Sequence, residues 1–191
     1  MGDSRIKRLC LNGMLIAVYV VIGVFKIDLG FSKITLASLP VVLTALMFGP
    51  VDAVIVALLG EFLAQVSYSG YGLGPTTALW ILPPALRGLF IGLVSRLVYR
   101  RKGERLEKHY VLYFLTLLFA SVLVSSFTTL VMYLDALINH YSFLADLPRV
   151  FIRFGTSLVT AACVGLVALP LKSALSFLYS DGQGQRKTEA S

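Results

Sequence analysis

Glu61, Gln65 and Tyr68 stand at i, i+4 and i+7 in an otherwise apolar stretch, so a helix there carries all three on one face. Trp80, Pro84 and Arg87 repeat that spacing further along. Ser125, Thr128, Met132, Asp135 and Asn139 make a third stripe, and Arg149, Arg153, Thr156 and Thr160 a fourth. Guanidinium groups offer planar paired donors that suit a carboxylate. The carboxylates of Glu61 and Asp135 suit an amide or amino group on a heterocycle, and Trp80, Tyr68 and Tyr71 suit its flat faces. Together these side chains fit an aromatic, anionic small molecule. They do not fit a metal ion. His109 and His140 are single and sit at the ends of runs, and Cys10 and Cys163 have no CxxC spacing and no neighbouring histidine.

Each group also has a plainer role open to it. Glu61 with Arg87, or Asp135 with Arg153, would serve as ion pairs that tie helices together. Serines and threonines on membrane helices commonly pack and bond to their own backbone. Trp80 and Tyr68 would suit an interfacial belt. What favours a site is that the elements carrying the four stripes bring them to one level.

Those elements span a membrane. The chain has 191 residues, 57% hydrophobic and 14% charged, with a mean hydropathy of +0.82, where a soluble domain is about a quarter charged. The apolar residues fall in six runs, 9–25, 34–48, 53–68, 78–99, 110–138 and 147–178, with Pro40 placed to bend the second and Pro170 the sixth. The reading is an all-α integral membrane bundle of six transmembrane helices. One domain covers 1–180, and a polar tail, 181–191, is expected to be disordered. The first run is a retained helix, because Phe25-Lys26-Ile27-Asp28 stands where a signal peptide would have small cleavage-site residues. Runs two and three are short for a bilayer, and the Gly-rich loop 69–77 cannot cross lipid unprotected. Short helices beside such loops often mark a binding site inside the protein.

Most of the net charge of +7 sits at one side of these spans. Arg5, Lys7 and Arg8 precede the first run, Arg96, Arg100, Arg101, Lys102, Arg105 and Lys108 follow the fourth, and Arg186 and Lys187 lie in the tail. The positive-inside rule then makes both termini cytoplasmic, and six spans satisfy it. Loops 26–33, 69–77 and 139–148 lie outside. A basic groove interleaved with aromatics is missing, so nucleic acid is not the partner. In this orientation the four stripes occupy the outer half of the membrane, with Arg87 about 10 Å deeper than Trp80. Gly13 and Ala17 on the first helix form a small-xxx-small surface for close helix approach, within the bundle or outside it.

The chain resembles the substrate-binding S components of energy-coupling factor (ECF) vitamin transporters. The resemblance is best over 12–96. It rests on Lys33-Ile34-Thr35-Leu36-Ala37-Ser38-Leu39-Pro40, on Leu46-Met47-Phe48-Gly49-Pro50, and on Leu82-Pro83-Pro84-Ala85-Leu86-Arg87-Gly88-Leu89 with the Gly-rich loop before it. It implies a multi-pass protein of a bacterial-type cell membrane whose outward pocket, roofed by the loops after helices one and three, binds a vitamin. Lys33, Glu61, Gln65, Tyr68, Tyr71, Trp80, Arg87, Asp135, Asn139, Arg149 and Arg153 are the expected substrate-binding residues. The resemblance further implies docking to a transmembrane coupling subunit and two ATPase subunits through an Ala-xxx-Ala pattern on helix one, here Gly13-xxx-Ala17. The whole subunit would topple in the membrane while its partners hydrolyse ATP. No P-loop is present, and no cofactor is expected in this chain. Helices two and three look most like the folate-type members, and arginine with carboxylate would suit a pterin joined to glutamate, though pantothenate, a hydroxymethylpyrimidine-like ligand or riboflavin would use similar groups. Two rivals stand beside this reading. An intramembrane enzyme would need a base near Ser125, Ser126 or Ser157, and no histidine or lysine is placed for it. An autonomous ion-coupled carrier would use Glu61 and Asp135 as the relay.

Overall fold

All six apolar runs are helical in the computed structural model, which describes residues 2–25, 27–28, 33–34, 36–68, 76–102, 106–140 and 147–188. The side chains of 2–5, 27–28, 33–34, 68, 102, 107 and 176–188 lie outside that description. The order is α1 (Gly2–Val24), β1 (Ile27–Asp28), β2 (Lys33–Ile34), α2 (Ser38–Met47), α3 (Pro50–Tyr68), α4 (Thr77–Lys102), a 3-10 turn (Leu106–Lys108), α5 (Tyr110–Asn139) and α6 (Leu147–Thr188). The two strands pair antiparallel, Ile27 opposite Ile34 and Asp28 opposite Lys33. Among the described residues five helices, α1, α3, α4, α5 and α6, are long and apolar enough to cross a bilayer.

The second helix differs from its predicted span of 34–48. It begins only at Ser38, because Ile34 is taken up in the strand pair and Pro40 sets the start. Proline lacks an N–H that the first helical turn does not need, so Pro40 opens α2 instead of bending it. Ten residues reach about 15 Å, half of a hydrocarbon core of about 30 Å. Residues 39–46 are all buried. Amid helices that present broad apolar faces outward, α2 is the central packing element, touching α1, α3, α4 and α6.

Close contacts set the helix directions. Gly92 of α4 lies against Pro50, where an added Cβ would come within 2.5 Å of the proline Cα, and Gly88 lies against the Ala53 carbonyl. The late half of α4 therefore packs on the first turn of α3. Arg8 of α1 pairs with Asp52 of α3 and also donates to the Phe48 carbonyl at 3.2 Å. From the other side, the buried Lys172 of α6 donates to the Leu46 carbonyl at 3.0 Å. The turn between α2 and α3 is thus held by a cation from each of two helices, at the end of the bundle that carries the basic residues.

The core below this polar layer joins Leu43, Val56, Ile91, Leu106, Tyr113 and Val164. Tyr113 donates its hydroxyl to the Gly165 carbonyl at 3.1 Å, which anchors α5 on α6. Helix α6 runs unbroken through Pro170, and its helical backbone continues to Thr188, beyond the predicted end at 178.

Candidate functional site

The first helical turn of α2 ends inside the bundle. Its N-cap, Ala37, packs in one cluster with Tyr19 of α1, Ala57 and Ala64 of α3 and Ala85 of α4. Small residues at these positions let the helices approach closely around one large side chain, the Tyr19 ring. Gly60 completes the arrangement: an added Cβ there would lie 2.8 Å from the ring. With that gap open, the Tyr19 hydroxyl reaches Glu61 and donates to Oε2 at 2.5 Å. Gln65, one turn along α3, donates to Oε1 at 2.9 Å. Both carboxylate oxygens are therefore occupied.

Arg87 of α4 faces this pair. It is partly buried and interacts electrostatically with Glu61 and Tyr19, yet among the described residues it makes no hydrogen bond or ion pair. The Glu61–Arg87 ion pair that the sequence left open is not formed. A guanidinium in a membrane-spanning helix is costly unless something satisfies it, so the donors of Arg87 remain available to an incoming acceptor.

A second group lies nearer the loop end. The Arg153 guanidinium of α6 stands over the Trp80 ring of α4, 6.0 Å from its centroid, and donates to Met132 Sδ of α5 at 2.9 Å. Trp80 is half-buried and turned toward α6, so in this structure it serves as a stacking plate rather than solely as a belt residue. Asp135 accepts from the Asn139 amide at 2.8 Å. Asn139 and Arg149 are exposed.

The predicted residues thus divide into three sets. Glu61, Gln65 and Arg87 come together, Trp80 meets Arg153, and Asp135 meets Asn139. Tyr71 lies outside the described residues, as do the side chains of Tyr68 and Lys33. The hydroxyls of the other stripes mostly turn back on their own helices: Thr128 to Val124, Thr156 to Arg153 and Thr160 to Thr156. Ser125 and Ser157 instead bond each other across α5 and α6 at 2.8 Å. Packing and local bonding account for these side chains. Tyr19 escaped the sequence reading. It is a lone polar ring in the apolar first run, five residues from the helix end, a depth like that of Glu61 in α3, and that shared depth was the available signal.

The fold and its comparisons agree. A profile for the ECF-type riboflavin transporter S component matches residues 3–176, nearly the whole chain. The chain belongs to this family. It is therefore a substrate-binding subunit of the vitamin-transporter type and a multi-pass membrane protein. Three solved structures share the fold. One, described as the S component of a bacterial ECF transporter, is 18% identical with a TM-score of 0.66 and covers 92% of this chain and 98% of its own. FolT bound with folic acid is 20% identical, with a TM-score of 0.61 over 88% of this chain and 93% of its own. The S component for biotin from an ECF-type ABC transporter is 14% identical, with a TM-score of 0.65 over 91% and 94%. No protein of curated function matches in sequence.

Gly13 and Ala17 of this family member are exposed, in line with Ile6, Leu9, Met14, Val21 and Val24 along one side of α1. An added Cβ at Gly13 meets nothing within 4 Å. Packing inside the bundle does not explain that glycine.

Proposed function

We propose that this S component captures a planar heterocyclic vitamin from outside the cell and anchors an acceptor group of that vitamin on Arg87. The observation that carries the reading is an Arg87 guanidinium that makes no hydrogen bond or ion pair among the described residues, beside a Glu61 that accepts from Tyr19 and Gln65. Among the described residues Arg87 makes no hydrogen bond while Glu61 already accepts two, so the ligand brings the acceptor. The Trp80–Arg153 plate, nearer the loop end, would stack a ring system. Lys33, Tyr68, Tyr71, Asp135, Asn139 and Arg149 would complete the roof and rim of the pocket.

Riboflavin is the first candidate, on the description of the family. A folate-like ligand is the second, because two arginines at separate levels suit a pterin that carries carboxylates. Delivery would follow docking of the exposed Gly13–Ala17 face to a coupling subunit, with two ATPase subunits supplying the energy and the S component toppling in a bacterial-type cell membrane with both termini cytoplasmic. In that scheme this chain is not an enzyme and holds no cofactor.

The test uses the sole tryptophan of the chain, Trp80. Riboflavin and folate are titrated separately against the purified protein while its emission is followed. Saturable quenching by one of them, lost in a folded Arg87→Ala variant, supports the proposal. No response to any vitamin in a broad panel sinks it. Uptake by this chain alone into liposomes, collapsed by an uncoupler, would favour the ion-coupled carrier instead.

A further inference from the structure

Between α4 and α5, in the half of the bundle nearest the basic end, an open groove of about 500 Å³ is lined by Phe90, Leu115, Thr116, Leu118, Phe119 and Val122. The Phe90 and Phe119 rings stand 5.5 Å apart in its wall. Thr116 gives its hydroxyl proton to the Leu112 carbonyl, so the lining offers no free donor. Leu115 and Phe119 are 57% and 61% exposed. Both helices span a membrane, so a hydrocarbon chain is what meets this groove.

Charge at the mouth narrows the occupant. Segment 96–108 holds six basic residues against two acidic ones, Glu104 and Glu107. Arg100 and Arg101 are exposed at the end of α4, and Lys108 is exposed just before α5. Arg100 lies ten residues beyond Phe90, about 15 Å along the helix. That distance is half of a hydrocarbon core of about 30 Å. Arg101 lies on the same helical face as Phe90. A lipid with its phosphate at these arginines would lay its chain along the groove as far as the two phenylalanine rings.

We propose that the α4–α5 groove binds one acyl chain of an anionic phospholipid of the leaflet at the basic end, with the phosphate held by Arg100 and Arg101. The site is separate from the vitamin pocket, and its test does not depend on which vitamin is carried. It differs from diffuse attraction of basic loops to acidic membranes in requiring the groove as well as the charge.

The experiment offers purified protein in mild detergent equal amounts of phosphatidylglycerol and phosphatidylcholine of matched chains, with retained lipid read by native mass spectrometry. The expected result is one phosphatidylglycerol retained with a preference of about thirtyfold, as two cationic contacts would give. Arg100→Gln with Arg101→Gln should abolish the preference. Leu115→Trp, which fills the groove at a lipid-exposed position, should abolish retention of both lipids. Each variant is first matched to the parent in melting temperature. Equal retention of the two lipids by the parent protein, or retention indifferent to Leu115→Trp, overturns the proposal. So does an equal loss of preference on neutralising Lys7 and Arg8, which would mean diffuse charge. If Leu115→Trp spares lipid but blocks assembly with coupling subunits, the groove belongs to a partner helix and the proposal fails.

Discussion

The Tyr19 hydroxyl crosses from α1 to α3 and donates to Glu61 at 2.5 Å, through a gap that only a glycine at position 60 leaves open. This one contact ties the first helix to the face of the third that carries Glu61 and Gln65. With the Gln65 bond to its other oxygen, it holds the Glu61 carboxylate in place beside Arg87, the residue we propose as the anchor for the ligand.

Disturbing either side of that contact should therefore affect binding more than folding. Tyr19→Phe removes a hydrogen bond to a charged group, worth about 1.5–3 kcal/mol, and should weaken vitamin affinity by roughly tenfold to a hundredfold. Gly60→Ala should do the same by displacing the ring, while its higher helix propensity offsets part of any stability loss. Calorimetric titration of both variants beside melting curves makes the check. Unaltered affinity in Gly60→Ala would show that the ring position is not fixed by the gap.

Arg153 and Trp80 supply a second prediction. A planar guanidinium stacks on an indole, whereas an ammonium is a hydrated point charge. Arg153→Lys should accordingly weaken binding by about 0.5–2 kcal/mol and shift the Trp80 emission of the ligand-free protein. Met132→Leu removes the sulfur acceptor of Arg153 at similar volume and should cost less than Arg153→Lys. The reverse order would make the sulfur contact, not the stacking, the feature that holds Arg153.

Much of this was legible in the sequence, and what was not has identifiable causes. Apolar runs gave all six helices, five of them because crossing lipid demands long segments with satisfied backbones and α2 because its residues are buried among the others. Spacing put Glu61 and Gln65 on one helix face, where they bond to each other, and singled out Arg87 on another helix as a charge that a membrane span rarely carries idle. The start of α2 was misread because its run looks continuous with Ile34, and the strand pairing that interrupts it depends on Ile27 and Asp28, which lie outside that run. Tyr19 was missed because one tyrosine in an apolar helix carries no periodic signal, and its partner lies 42 residues away. The Arg8–Asp52 pair was hidden for the same reason: each residue reads as a surface charge until the turn at 48–50 folds back on α1.

That pair yields a graded stability prediction. The Asp52 side chain is 12% exposed and the Arg8 side chain 46%. Arg8→Ala should cost less than about 1 kcal/mol, since a half-exposed ion pair is screened by water. Asp52→Ala also takes the acceptor from the buried Asn12 amide, whose own Oδ1 already lacks a partner among the described residues. It should cost about 1–3 kcal/mol. Denaturation in detergent, compared between the two variants, tests the ranking. Equal losses would mean that the buried amide finds another acceptor and that the pair acts only as surface charge.

Gly13 and Gly92 should respond oppositely to the same change. At Gly92 an added Cβ would fall 2.5 Å from the Pro50 Cα, a backbone atom that cannot swing away. Gly92→Leu should therefore drive α4 off the α2–α3 turn and destabilise the fold by at least about 1–3 kcal/mol. At Gly13 the space is open, so Gly13→Leu should leave the melting temperature and vitamin affinity near those of the parent. What it should remove is co-purification with the coupling and ATPase subunits, because a leucine there holds a partner helix away from the exposed side of α1. Assembly that survives Gly13→Leu and also Ala17→Leu would place the docking surface on another helix. A large loss of stability in Gly13→Leu would mean instead that this side of α1 packs within the bundle after all.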